Sequence, residues 1–452
     1  MTVPKKANAD PTKAFFVHTI TKDITLEDCV LDLLDNCVDG AWKLEGGKPV
    51  GLANAKDLVK YRIDIEIDAD HFRIIDNCGG ITLDDAAEYA FTFGRRQDEV
   101  PERYSIGVYG IGMKRAIFKM GTDITIRSTY RAKRKLESFR VPIDVNKWLD
   151  DDKTAHWDFD IESSTDLDEP GVEITVRQLN ESTSVSFGNP TFIQTLRRVI
   201  ARDYALHLHR GLTVALNEEP IFGWQIEMRQ GGGFQPMRIA YKDENEEVDI
   251  EILAGMTAPP PDDSEPDADG DGDGELRSGW YVVCNGRIVL AADQSSTSGW
   301  GTDNWPKWHP QYAGFIGFVV FASKEAKLLP LTTTKRNVDA TSAIYRRALP
   351  RMREVSRRWI DYTNQRKQTI EEARKLEQVA KPMPIYEVAV RQYVALPQLA
   401  PKPKVKPANV AYSVPLEKLR NLARELGNVN MSYREVGLKS FDYAYAEHVG
   451  AE

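Results

Sequence analysis

The stretch VLDLLDNCVDG, Val30–Gly40, decides how the chain reads. Aspartate is a poor residue for a helix interior because its side chain competes for backbone amides, yet Asp32, Asp35, Asn36 and Asp39 crowd into three turns. Leu26, Val30, Leu33, Leu34, Cys37 and Ala41 recur at helical spacing and predict a core face. Asp28, Asp32, Asp35, Asn36 and Asp39 repeat the same offsets two residues on, so one helix carries an apolar stripe and a separate acid and amide stripe. Thr25, with Asp28 three residues later, has the pattern of a capped start. The polar stripe is either a solvated face or a set of groups held for chemistry.

Outward from this helix, Tyr61–Asp68 and His71–Asn77 read as strands ending in Cys78-Gly79-Gly80. Asp84–Phe91 reads as helical, and a glycine-rich segment leads into GVYGIGMKRAIFKMG from Gly107. Strands follow at Thr122–Ser128 and Val172–Val176. A second unit is expected to open with a helix at Pro190–Leu206 and a strand at Leu212–Asn217, and to contain a hairpin at Trp280–Ala291 turned by Asn285-Gly286. Ala258–Glu275 is a low-complexity acidic loop. Its Asp267, Asp269, Asp271 and Gly272 resemble the start of a calcium loop, but position twelve is Ser278, and disorder is the better reading. Ala343–Gln378 reads as a basic helix, Pro397–Pro407 as a stiff linker, and Leu416–Leu426 as a last helix closed by Gly427.

The bulk composition narrows the function classes. The net charge of −9 gives no global field for nucleic acid, so any such contact has to be local. Cys29, Cys37, Cys78 and Cys284 lack metal-ligand or CxxC spacing, which favours free thiols and a cytoplasmic address. No run approaches the roughly 18 apolar residues of a membrane span, and the start, MTVPKKANADPTKAFF, predicts no secretion leader.

Taken singly, the chemical motifs are weak. Gly107, Gly110 and Gly112 before Lys114 suit an anion at a helix N-terminus, but glycine turns before helices are common. Asp76 at a strand end, followed by Gly79 and Gly80, can set one carboxylate deep in a pocket and suits an exocyclic amine such as that of adenine. In their order (Asp32-xxx-Asn36-xx-Asp39, then DNCGGI, then GVYGIGMK) the motifs resemble the GHKL superfamily of gyrase B, histidine kinases, MutL and the large heat-shock chaperones. Within it, YAFTFGRR and the lid-like glycine run resemble the MORC-like ATPases most. LPLTTTKRNVD, Leu329–Asp339, and the VCNGRIV hairpin are similar to second-domain segments of the same proteins, so the resemblance covers about residues 15–345.

This resemblance implies an α+β fold: a GHKL (Bergerat) α/β sandwich at 25–182 after an N-terminal arm at 1–24, and a ribosomal-protein-like transducer domain at 183–345. A basic helical segment at 346–396, a linker at 397–412 and a helical C-terminal segment at 413–452 would follow. It implies ATP and Mg²⁺ as cofactors. Asn36 would ligate the metal, Asp39 support the pocket, and Asp76 accept the adenine amine. Gly80, Ile81 and Val172 would line that side, while Gly107, Val108, Tyr109, Gly110, Ile111, Gly112 and Met113 wrap the phosphates with Lys114 beside them. Asp32 would be the general base and Lys335 would sense the terminal phosphate, with Arg336 as fallback; Asp35 reads as ordinary surface. Asp32 stands where the family has glutamate, Cys78 where it has glycine and Val172 where it has threonine. The activity implied is slow ATP hydrolysis that closes a homodimer, with Phe15 and Phe16 of the arm packing across a partner. The closed clamp would act on DNA or a DNA-associated protein. The alternatives are a nucleotide-gated switch with negligible turnover and a chaperone-like ATPase. The helix Arg346–Arg374 would lie along DNA or, given Glu354, Asp361, Glu371 and Glu372, be a solvated ion-paired helix.

Overall fold

The computed structural model describes residues 12–47, 51–94, 103–107, 110–150, 157–243, 245, 247–262, 276–399 and 408–450. It forms two units, Met1–Ala400 and Pro401–Glu452. The larger unit is built on two main sheets.

The first sheet comprises β1 (Arg62–Ile67), β2 (His71–Asp76), β3 (Gly121–Ala132), β4 (Lys135–Asp144), β5 (Glu162–Ser163), β6 (Gly171–Leu179), β7 (Thr213–Leu216) and β8 (Glu219–Pro220), in the order β5-β4-β3-β6-β2-β1-β7-β8. All pairs are antiparallel except β1 with β7. Because side chains alternate across a strand, Ile63, Ile65, Ile67, Phe72, Ile74, Ile124, Ile126, Ile174 and Val176 share one buried face. The opposite face is polar: Arg73 pairs with Glu66 at 2.7 Å and with Glu173 at 2.7 Å, and Arg127 pairs with Glu173 at 2.8 Å. A one-residue slip would exchange these faces, so the charged ladder and the apolar face fix the register together.

Helices cover the apolar face. α1 (Lys13–Lys22) packs on a lid helix, Gly112–Met120, which in turn packs on α2 (Leu26–Leu44). The Thr25 hydroxyl accepts from the Asp28 amide at 3.1 Å, as the capped start requires. The helix Pro190–Asp203 adds Leu196, Val199 and Ile200 to the same core. This moves the expected boundary at 182/183. The helix and strand assigned to a second unit belong to the first sheet, because β1 would otherwise present an open edge and the parallel partner β7 needs a helical crossover to reach it. Part of the expected N-terminal arm is likewise the helix α1. Phe16 packs within the chain against Phe93 and Trp157, with ring centroids 4.8 and 5.5 Å away. Phe15 remains 64% exposed.

The second sheet comprises β10 (Met237–Asp243), β11 (Val248–Met256), β12 (Gly279–Cys284), β13 (Arg287–Asp293) and β14 (Phe315–Ala322), ordered β10-β11-β14-β12-β13; β9 (Glu227–Gln230) pairs with β15 (Lys381–Pro384) beside it. Every residue of β12 and β14 is buried, which explains their unbroken apolar runs. The β12–β13 hairpin turns at Asn285 and Gly286, whose φ values of 45° and 87° are the positive pair a two-residue hairpin demands. The long helix Ala343–Arg366 buries Ile344, Tyr345, Ala348, Met352, Val355 and Trp359 in this sheet's core. The basic segment expected to stand apart from 346 onward is thus one layer of the second sheet's sandwich. The unit at 401–452 is a pair of helices, Leu416–Glu425 and Tyr433–His448, around Ala423, Met431 and Val436.

Of the acidic loop 258–275, positions 263–275, and with them Asp267, Asp269 and Asp271, lie outside the described residues.

Candidate nucleotide site

Between Asp28 and Val38 every side chain of α2 is buried except that of Asn36. The helix runs through the interior with one window to solvent. Its acidic stripe is met by cations from distant segments. Asp28 pairs with Arg336. The Asp32 carboxylate takes the Arg115 guanidinium on Oδ2, with Nε at 2.7 Å and Nη2 at 2.6 Å, and Lys335 Nζ on Oδ1 at 3.1 Å. Asp35 takes Lys335 Nζ at 2.8 Å, the Tyr204 hydroxyl at 2.6 Å and the Arg287 guanidinium.

Asp35 is therefore not ordinary surface. It is 0% exposed, because the hairpin and the 332–336 loop of the second sheet cover that stripe of α2. Burial by itself would raise its carboxyl pKa, but Arg287 and Lys335 outweigh burial and hold it below the usual carboxylate range. Burial opposes the charge on Lys335 too, and Asp35 and Asp32 overcome it and raise the ammonium above its ordinary value. Three carboxylates facing four cations leave little uncompensated charge in the interior, the condition under which buried ions are tolerated. Lys335 has φ of 56°, a left-handed conformation that costs roughly 1–2 kcal/mol for a residue with a side chain. The paired carboxylates hold it there.

The other end of the stripe faces the glycine run. Asp39 accepts the amide of Ile106 on Oδ1 at 2.7 Å and that of Gly107 on Oδ2 at 2.9 Å, which fixes the approach to the lid. Gly110 has φ of 66°. Gly112, first residue of the lid helix, lies so close to Asp32 that a Cβ there would stand 3.3 Å from the Asp32 Cγ. Met113 is buried. Lys114 is also buried, and its ammonium is held by the carbonyl of Ala90 at 3.0 Å, in the segment leading to the lid, so it does not stand free beside the phosphate region. Val108 and Tyr109 lie outside the described residues, and Ile111 caps the lid helix.

Asp76 closes β2 on the face shared with Phe72 and Ile74, beside Val172 on β6. Its carboxylate accepts the Cys78 amide at 2.7 Å and the Val172 amide, while burial pushes its pKa up. The turn after it is tight: a Cβ at Gly80, whose φ is 73°, would stand 2.1 Å from the Thr129 carbonyl oxygen. Ile81 is held by Ser128, whose hydroxyl accepts from the Ile81 amide at 2.7 Å and donates to its carbonyl at 2.8 Å. Sequence reasoning passed over Ser128. The signal was a lone hydroxyl continuing the buried face set by Ile124 and Ile126.

This donor set fits a hard divalent cation held jointly with a polyphosphate. Asn36 offers a neutral amide oxygen at the window of α2, with Asp32 and Asp39 about one turn to either side, and Mg²⁺ ordinarily completes its shell with water and phosphate oxygens. Among the described residues no cluster of His, Cys, Asp or Glu could hold a metal alone.

The long helix offers less to nucleic acid than its composition promised. Arg347 pairs with Asp243, Arg353 with Asp303, and Arg366 with Glu377 and Asp262, while Arg374, on the following helix Ile370–Val379, also pairs with Asp262. Arg351, Arg357 and Arg358 lie over Tyr241, Trp305 and Tyr393. Among the described residues no helix is long and apolar enough to cross a membrane.

No curated protein matches the chain. Residues 24–167, which carry α2, Asp76 and the lid helix, match the family of histidine kinase-, DNA gyrase B-, and HSP90-like ATPases, the GHKL type.

Proposed function

We propose that the protein binds ATP with Mg²⁺ and hydrolyses it slowly, using the bound nucleotide to close a homodimeric, MORC- or MutL-like clamp on DNA or a DNA-associated protein. One observation carries the reading: Asp32 is touched at once by the lid helix, through Gly112 and Arg115, and by the second sheet's loop, through Lys335. A group entering beside Asp32 would be felt by both. In this reading Asn36 holds the metal, Asp76 receives the adenine amine and Lys335 moves to the terminal phosphate. The glycine run from Gly107 to Gly112 supplies backbone amides to the phosphates, and Asp32 orients the attacking water.

The same geometry argues for slow chemistry. A general base must lie within hydrogen-bond reach of the water it activates. Asp32 has one methylene less than glutamate, and Lys335 occupies its Oδ1. The short reach and the Lys335 contact also favour a second reading, a nucleotide-gated switch with negligible turnover. Mg²⁺-dependent phosphate release by the purified protein, set beside ATP binding by calorimetry, separates the two. Release that Asp32→Asn abolishes while binding persists supports the hydrolase; binding without release supports the switch. The partnered arginines of the long helix direct the DNA test elsewhere, to a salt-dependent gel shift of the intact chain with and without nucleotide.

A further inference from the structure

Arg115 follows the lysine of the glycine run directly and has so far served only as a contact between the lid helix and Asp32. It is 7% exposed. Its Nε and Nη2 both grip Oδ2 of Asp32, and Nη2 also donates to the carbonyl of Thr333 at 3.3 Å. Thr333 lies two residues before Lys335, in the turn where the Lys335 amide donates to the Thr332 carbonyl at 3.0 Å. Gly112 and Arg115 are three residues apart, so one face of the lid helix presents both to Asp32. The lid helix, the acid on α2 and the second sheet's loop therefore meet in a single guanidinium.

We infer that Arg115 is a positioning residue for hydrolysis: it holds the short Asp32 carboxylate in its working orientation and makes that orientation depend on the 332–336 loop being in place. The inference rests on the ATPase reading. An unsupported aspartate on a helix can adopt several rotamers. A planar fork gripping one oxygen from the side selects one of them, and its bond to a main-chain carbonyl ties that choice to the position of Lys335. A lysine at 115 could supply charge to Asp32 but not both bonds in the fixed geometry of the fork.

The test compares wild type, R115K and R115M by steady-state phosphate release with Mg·ATP, ATP affinity by calorimetry, and thermal unfolding to confirm that each variant is folded. Misplacing a catalytic group by an ångström costs on the order of 10²-fold in rate. R115M is expected to lose about 10- to 100-fold in kcat with ATP affinity within about twofold of wild type, and R115K to fall between. A structural role would instead lower unfolding temperature and affinity together. Equal kcat in wild type and folded R115M overturns the inference and leaves the ATPase reading standing. A wild type that binds ATP without releasing phosphate overturns both.

Discussion

Replacing Asp35 by asparagine keeps the volume of the side chain and removes one charge from the interior. The structure says what that charge holds: Arg287 and Lys335 lose a carboxylate, and the Tyr204 hydroxyl keeps only a neutral acceptor. Lys335 retains Asp32 at 3.1 Å, whereas Arg287, whose Nε has no hydrogen-bond partner among the described residues, keeps only the more distant attraction of Asp203 and Asp32. Removing one partner of a buried ion pair costs about 3–5 kcal/mol. Unfolding entropy of about 2.1 cal/mol/K per residue gives roughly 0.8 kcal/mol per degree for the Met1–Ala400 unit, so Asp35→Asn should lower Tm by about 4–6 °C at pH 7. The pH dependence has a definite sign. Asp35 is held below its ordinary value of 3.8, so its contribution is present above that pH and is lost as pH falls through the folded value. The Tm gap between variant and wild type, followed by circular dichroism, should be widest near neutrality and narrow progressively as pH falls below 3.8. A gap under about 1 °C at pH 7, or one unchanged at low pH, would refute the claim that this carboxylate ties α2 to the second sheet.

Three further outcomes follow from named contacts. His207 is buried, its Nδ1 accepts from Trp42 Nε1 at 3.1 Å, and burial lowers its pKa from 6.5 to about 3. The native state keeps it neutral, so its contribution is complete above pH 6.5 and is lost as pH falls toward 3; His207→Asn should flatten urea-unfolding free energy across that window, a change of at most roughly 5 kcal/mol. Gly80→Ala should cost about 1–3 kcal/mol from the left-handed backbone alone, with a further loss from displacing Thr129, and a variant as stable as wild type would exclude the tight turn. Asp39→Ala removes the acceptor of two lid amides, so amide hydrogen exchange at Ile106 and Gly107 should accelerate by at least tenfold, since each charge-assisted bond is worth about 1.5–3 kcal/mol.

The parts legible in the sequence are those whose cause is local. The two stripes of α2 follow from a 3.6-residue period, the Asn285-Gly286 turn from residues that tolerate positive φ, and the place of Asp76 from strand alternation ending at glycines. Asp32 and Lys335, given separate roles by the resemblance, lie 3.1 Å apart across 303 positions of chain, a contact that no local pattern encodes. Asp35 marks the limit of local reading. Nothing within a turn of it distinguishes it from Asp32 or Asp39, and the groups that bury it, Arg287 and Lys335, stand 252 and 300 positions away. The sheet that runs across residue 182 is hidden for the same physical reason: the edge of β1 is completed by β7, a parallel pairing that periodicity within either strand does not encode. Lys114 adds a different lesson, since a lysine next to a glycine run has the right chemistry for phosphate and the fold here engages it on the Ala90 carbonyl. The side chain one position further on, Arg115, is the one the helix turns toward Asp32. Because neighbouring helical residues point about 100° apart, a motif fixes which segment meets the reacting group, while the helical phase and the distant partners fix which residue of that segment does.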